Sequence, residues 1–311
     1  MIHIIRILAV TVLLLPMYCK AQPALSLEET YAIEGPAGLE PSGLAYCDDR
    51  LLFVSDDHDD TIFELSPGTG SIAAAMPYRL IENIPPPPEQ QFPLLLRIKR
   101  FTAELFALTG GMDWEGIACD AEGTLYLASE YYFAVLAVDS QNNQRWLGRD
   151  LFAFGREHGL FGAMNAYFEG VTLHRDELLL AVERDPRALI RLQAGEPLQL
   201  ATPVQAGFDE AGLSYDYTGL AVWNSRLFAL SRNHYEACEL DADDFTELGC
   251  KSYRDVERSE AYGYDTGPYG LGEGLAITDD AIWIVVDNNG QSRLSDAKDK
   301  RPQLFRFNNS F

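Results

Sequence analysis

The sequence contains no GxSxG elbow, phosphate-binding glycine loop, HExxH pair, EF-hand loop or dinucleotide fingerprint. Nucleophilic-serine and nucleotide chemistry therefore lack a sequence basis. Histidine and cysteine are scarce, five of each, and none fall at CxxC or Cys/His metal spacing. Basic residues are outnumbered, 24 Lys and Arg against 47 Asp and Glu, for a net charge of -23. That sign opposes nucleic acid and anionic membrane, so neither is expected as a partner. An acidic protein of this kind binds cations or stays soluble.

What is present is a repeat. Five segments align on a glycine: PSGLAYCDDRLLFVSDDH at Gly43, DWEGIACDAEGTLYLASEY at Gly116, YFEGVTLHRDELLLAVERD at Gly170, YTGLAVWNSRLFALSRNH at Gly219 and GEGLAITDDAIWIVVDNN at Gly274. Each reads as a β-hairpin, with a short apolar strand, a polar turn, and a second apolar strand ending in a polar cluster. The glycines are 73, 54, 49 and 55 residues apart, which suits four-stranded propeller blades. The predicted fold is an all-β propeller of five blades, with six as the alternative count. Third strands are predicted at TIFEL, FAVLAV, ALIRL and YEACEL. The last repeat has only QLFRFN after its second strand, so EETYAIEG near the N-terminus is expected to pair there and close the ring.

Residues 1–21, MIHIIRILAVTVLLLPMYCKA, read as a cleaved export signal, with a single propeller domain over 22–311. The expected location is periplasmic or secreted. In that setting Cys238 and Cys250, flanking an Asp-rich turn, are expected to form a disulfide. Cys47 and Cys119 occupy equivalent strands offset by one residue and are expected as buried free thiols. Residues 79–112 form an insertion with a polyproline spacer and a helical stretch. Together with residues 153–167 it is expected to cover one face of the disc.

In such a ring the residue before each glycine lies beside the end of the second strand, near the axis. The pre-glycine residues are Ser42, Glu115, Glu169, Thr218 and Glu273, and the strand ends carry Asp56-Asp57, Glu130, Glu183, Arg232-Asn233 and Asp287-Asn288. Converging carboxylates repel one another unless a cation sits among them. Oxygen donors without thiolate or imidazole point to calcium. The expected ligands are Glu115, Glu169, Glu273, Asp57, Glu130, Glu183 and Asp287. The alternative is a brace without metal, in which the glutamates pair with Arg184 and Arg232. His58 and His234, at matching positions just past their strands, are the candidate catalytic acid or base.

The motifs PSGLA, DWEGIA, YFEGV, DYTGLA and GEGLA resemble the bacterial SdiA-regulated propellers and the related family named for the esterase-like activity of phytase. The resemblance spans Leu27 to Phe307 and implies a β-propeller with calcium near its axis, carried here by Glu115, Glu169 and Glu273. A weaker, architectural resemblance is to gluconolactonase and paraoxonase propellers. Two functions follow as expectations: an exported, monomeric calcium-binding propeller that takes a small molecule or protein on its acidic face, or a metal-dependent hydrolase of esters, lactones or phosphoesters.

Overall fold

Strands such as ELLLAV and AIWIVV are apolar on both faces, as strands must be when other sheets cover them on either side. The computed structural model describes residues 22–94, 96–98, 100, 111–162, 166–192, 199–200, 205, 207–209, 212–267 and 269–311. The export signal read at 1–21 and residues 101–110 of the insertion lie outside the described residues.

The strands are β1 (Leu27–Glu34), β2 (Pro41–Cys47), β3 (Arg50–Ser55), β4 (Thr61–Pro67) and β5 (Ile72–Leu80), then β6 (Trp114–Cys119), β7 (Leu125–Ser129), β8 (Ala134–Val138) and β9 (Gln144–Leu147). They continue with β10 (Phe168–His174), β11 (Glu177–Val182), β12 (Ala188–Leu192), β13 (Gln199–Leu200), β14 (Gly219–Trp223), β15 (Arg226–Ser231), β16 (Glu236–Leu240) and β17 (Glu247–Ser252). The last three are β18 (Gly272–Ile277), β19 (Ala281–Val286) and β20 (Gln303–Asn308). β6–β9, β10–β13 and β14–β17 each form a four-stranded sheet in sequence order. The other eight strands form one sheet, β18-β19-β20-β1-β5-β4-β3-β2. Within it β1 pairs antiparallel with β20, as EETYAIEG led us to expect, and parallel with β5.

Local chemistry fixes the hairpins. Asp48-Asp49, Arg175-Asp176 and Asn224-Ser225 have φ of 46° and 61°, 51° and 64°, and 49° and 60°. Turns with both central residues at positive φ match the right-handed twist of the flanking strands.

The first strand of each repeat meets the first strand of the next, β2 against β6, β6 against β10, β10 against β14, β14 against β18, and β18 against β2. The five aligned glycines make this approach possible. A Cβ on Gly43 would lie 2.5 Å from the Gly116 Cα, one on Gly116 2.8 Å from the Val171 nitrogen, and one on Gly274 2.6 Å from the Leu44 nitrogen. Gly170 and Gly219 are each within 3.2 Å of the next strand's backbone by the same construction.

Between the sheets lie apolar clusters fed by alternate residues. In β11, Leu178, Leu180 and Val182 face the β6–β8 side, and Leu179 and Ala181 face the β14–β16 side. Each fully buried side chain of this size contributes roughly 1.5–3 kcal/mol. The insertion is pinned to this framework. Gln90 Nε2 donates to the carbonyls of Phe133 (3.1 Å) and Gly148 (3.2 Å), and Trp146 Nε1 donates to that of Pro85 (2.7 Å). Residues 94, 96–98 and 100 are helical, as is Leu151–Glu157 in the second insertion.

One expectation is overturned. Cys47 and Cys119 are joined in a disulfide, with Cα atoms 6.1 Å apart, rather than being free thiols. The one-residue offset does direct them to opposite faces of their own sheets, but stacked sheets meet through opposite faces, so the offset brings them together. Cys238–Cys250 is bonded as expected, across the β16–β17 register. Two disulfides suit an oxidising, extracellular compartment. Among the described residues no helix is long and apolar enough to cross a membrane.

The glycine ring yields a direct prediction. Gly116→Ala should lower the unfolding free energy in urea by about 1–3 kcal/mol, because backbone stands on the far side of the contact. Gly249→Ala in β17, with open space around the added methyl, should leave it within about 0.5 kcal/mol. Equal effects at both positions would contradict the packing described.

Candidate functional site

The glutamates sit where their strands are irregular. Glu115 falls between the pairs Trp114–Ser129 and Gly116–Ala128, Glu169 between Phe168–Val182 and Gly170–Ala181, and Glu273 between Gly272–Val286 and Gly274–Val285. Each is the extra residue of a β-bulge, a feature that redirects a side chain out of the ladder. This is why an apolar strand can begin with a carboxylate.

The second-strand ends are placed by one recurring hydrogen bond. The backbone N–H of Asp56 donates to Glu40 O (3.2 Å), that of Glu130 to Asp113 O (2.9 Å), that of Glu183 to Tyr167 O (2.8 Å), and that of Asp287 to Leu271 O (3.1 Å). Every acceptor stands three residues before the aligned glycine. This equivalence makes Asp56, not Asp57, the counterpart of Glu130, Glu183 and Asp287. Asp57 is exposed, next to Glu40 and Asp56. The position three before the glycine also supplies Asp113 and Asp216, which the reading of the pre-glycine residue alone missed. Aligning the repeats at that position, which reads Glu, Asp, Tyr, Asp, Leu, would have found both.

A cavity of about 460 Å³ opens at these strand ends. Its lining includes Asp56, Asp113, Glu115, Glu130 and Glu169, together with Tyr131, Phe133, Tyr167 and, from the insertion, Leu96 and Arg100. Oxygen atoms of Asp56, Asp113 and Glu115 all lie within 4.8 Å of one another. At that separation each ionised pair costs about 3 kcal/mol at an effective dielectric near 20.

Burial, and then Asp113, Glu40, Asp57 and Asp287, pushes the Asp56 carboxyl up to about 7. Burial, then Glu169, takes Asp113 to about 6 against the opposing pull of Arg100. Asp287 is raised to about 6, again mainly by burial. Glu115 and Glu130 are driven well above the ordinary range by burial and by Glu169.

The other half of the ring is neutralised internally. The Arg232 guanidinium donates to Glu273 and to the fully buried Glu183, and lies 4.0 Å from Asp216. Arg184 also pairs with Glu183. Burial works against charge on Arg232, but Glu273, Glu169 and Asp216 outweigh it and hold the guanidinium protonated. The hydroxyls are likewise engaged: Ser42 donates to Trp114 O, and Thr218 Oγ1 to Gly272 O at 2.7 Å, each stitching one inner strand to the next.

Of the residues expected at the site, Glu115, Glu130, Glu169, Glu273 and Asp287 line the cavity. Neither His58 nor His234 does. His58 packs edge-on against Phe63, with ring centroids 5.6 Å apart. His234 stacks on Tyr215 and sits 3.4 Å from an Asp209 oxygen.

A carboxyl raised in the folded state is protonated more readily there than in the unfolded chain. Its stabilising contribution is therefore complete below about pH 4 and lost as pH rises through its folded value. In chelator, the melting temperature should fall as pH rises from 5 to 8, and Asp56→Asn should flatten that slope. A metal-free protein that gains stability over this range would contradict the assignment.

No protein-family model matches the chain, and no curated protein sequence does, so the resemblance read from the glycine motifs stands on those motifs alone. Among solved structures, a glutaminyl cyclase from Myxococcus xanthus is 15% identical, covers 92% of this chain and 96% of its own, and superposes with a TM-score of 0.55. A PQQ-bound aldose sugar dehydrogenase from Streptomyces coelicolor is 12% identical over 93% and 99%, with a TM-score of 0.49. A gluconolactonase from Xanthomonas campestris is 10% identical over 92% and 97%, with a TM-score of 0.41. The likeness to the cyclase is one of fold, and the architecture is β-propeller-like.

Proposed function

We propose that this chain is an exported five-bladed β-propeller that holds calcium in its axial cavity and binds a ligand on that acidic face. In this reading the two halves of the eight-stranded sheet are separate blades that meet at the β1–β5 edge. The proposed ligands are Asp56, Asp113 and Glu115, with Glu130 and Glu169 close by. The observation that carries the reading is the convergence of three carboxylates within 4.8 Å on the half of the ring that Arg232 does not reach. Asp56 Oδ1 is buried and has no hydrogen-bond partner, which fits an oxygen meant for a cation. The donor set is hard oxygen throughout, which suits calcium over zinc. The SdiA-regulated, phytase-like resemblance agrees with this assignment.

A second reading is a metal-dependent hydrolase at the same face. A cation there would polarise an ester, lactone or phosphoester oxygen. Since His58 and His234 lie outside the cavity lining, the proton would move through a ring carboxylate outside the proposed ligand set, such as Asp287.

Calcium at a hundredfold excess over its dissociation constant should stabilise the metal-stripped protein by about 2.7 kcal/mol, read as a rise of about 5–10 °C in a thermal melt. Glu115→Gln and Asp56→Asn should each remove most of that rise. His58→Ala and His234→Ala should keep it, together with any hydrolytic turnover. A wild-type melt indifferent to calcium would dispose of the metal assignment.

A further inference from the structure

The connections that lead into β14, β18 and β20 line a second cavity, of about 770 Å³, a size common for small-molecule pockets. It shares Arg232, Glu273 and Asn289 with the axial cavity, but none of Asp56, Asp113, Glu115, Glu130 and Glu169 lines it. Charge here is close to balanced. Arg184 and Arg232 line it together with Asp185, Asp265 and Glu273, and both guanidiniums are held in ion pairs with Glu183, Arg232 also with Glu273. A strongly charged ligand therefore gains little there over a neutral one.

The polar groups left over are short and uncommitted. Among the described residues, the side chains of Asp265, Thr266, Tyr269 and Asn289 have no hydrogen-bond or ion-pair partner. A carboxylate accepts only, whereas hydroxyls and an amide both donate and accept. Such a set matches a ligand that carries several hydroxyl groups. The backbone that presents it is fastened at several points. The Asp265 N–H donates to Ser292 O (3.1 Å), the Thr266 N–H to Tyr264 O (2.9 Å), the Asn289 N–H to Asp287 Oδ1 (3.1 Å) and Arg258 Nη1 to Gly267 O (2.8 Å). A Cβ added to Gly270 would lie 2.0 Å from the Arg232 carbonyl oxygen, so this loop is seated directly on the end of β15. Groups held in place beforehand lose little entropy when a ligand arrives.

Two aromatic rings complete the lining. Phe208 is 65% and Tyr269 57% exposed. Single exposed rings are ordinary on a protein surface, but two in one polar cavity form a contact surface. A pyranose ring offers the complement, an apolar C–H face with hydroxyls around its edge. We propose that this second cavity binds a neutral saccharide, a disaccharide by size. Its C–H faces lie against Tyr269 and Phe208, and its hydroxyls bond to Asp265, Thr266 and Asn289. The site is separate from the calcium reading and does not rest on it.

The test is titration calorimetry with cellobiose, maltose and lactose, with the disaccharide of glucosamine as the cationic probe and lactobionate as the anionic one. At least one neutral disaccharide should bind with a Kd of about 1 mM or tighter, and about tenfold more tightly than either charged probe. Tyr269→Ala and Asp265→Asn should each weaken it about tenfold. Both side chains are exposed, so these variants should melt with the wild type. Binding should persist in Asp56→Asn and in chelator, so that failure of the calcium reading and failure of this one are read separately. No binding of the three neutral disaccharides at about 10 mM, preference for a charged probe, or binding indifferent to both Tyr269→Ala and Asp265→Asn would overturn the proposal.

Discussion

The ring rests on backbone meeting backbone at its centre. Where an added Cβ on Gly43 would come within 2.5 Å of the next glycine's Cα, no side chain can separate the inner strands. That contact sets how closely the sheets approach the axis. It also determines what happens one residue earlier in each strand. With the glycine held against its neighbour, three of the five pre-glycine residues, Glu115, Glu169 and Glu273, are extruded as bulges and line the axial cavity, so the packing constraint that closes the ring also concentrates charge at its mouth.

The charge is resolved differently on the two sides. Around Arg232, three acidic groups, Glu183, Asp216 and Glu273, share a guanidinium and are braced from sheet to sheet, the pairing of glutamates with arginine that the metal-free alternative describes. Around Asp56, Asp113 and Glu115 no ion pair of that kind forms among the described residues; Arg100 pulls Asp113 down, but burial and neighbouring carboxylates hold all three carboxyls above their usual range. A ring of near-equivalent repeats has thus been made asymmetric by one substitution in the repeat pattern, an arginine where the other copies place Asp or Glu. The asymmetry leaves one part of the ring held by ion pairs and the other rich in carboxylates raised above their usual range.

Much of this was legible in the sequence. The hairpins, the order of the strands and the pairing of EETYAIEG with QLFRFN follow from period-two patterning and turn residues, which are local signals. The face on which the acidic residues gather followed from the same repeat. What could not be read was anything that depends on how one sheet lies on another. The bulges that aim Glu115, Glu169 and Glu273 leave no mark in composition. The Cys47–Cys119 disulfide depended on stacked sheets presenting opposite faces, which the single-sheet argument reversed. Asp113 stands inside the aligned repeat but was missed because only the residue directly before the glycine was taken to face the axis, whereas the position three before it is held there by the hydrogen bond its carbonyl accepts from Glu130. His58 and His234 follow their strands as the repeat indicates but are not among the residues lining the cavity, since a residue just past a strand end can turn outward as easily as inward.

The central claim is that raised carboxyls at Asp56 and its neighbours exist to be discharged by a cation. Calorimetry of calcium binding at pH 6.5 in buffers of different ionisation enthalpy measures this directly, because protons leaving the ligands are taken up by the buffer. With Asp56 near 7, the account predicts release of roughly one proton or more per calcium bound, reduced in Asp56→Asn. Calcium uptake without proton release, or no uptake at all, would contradict it.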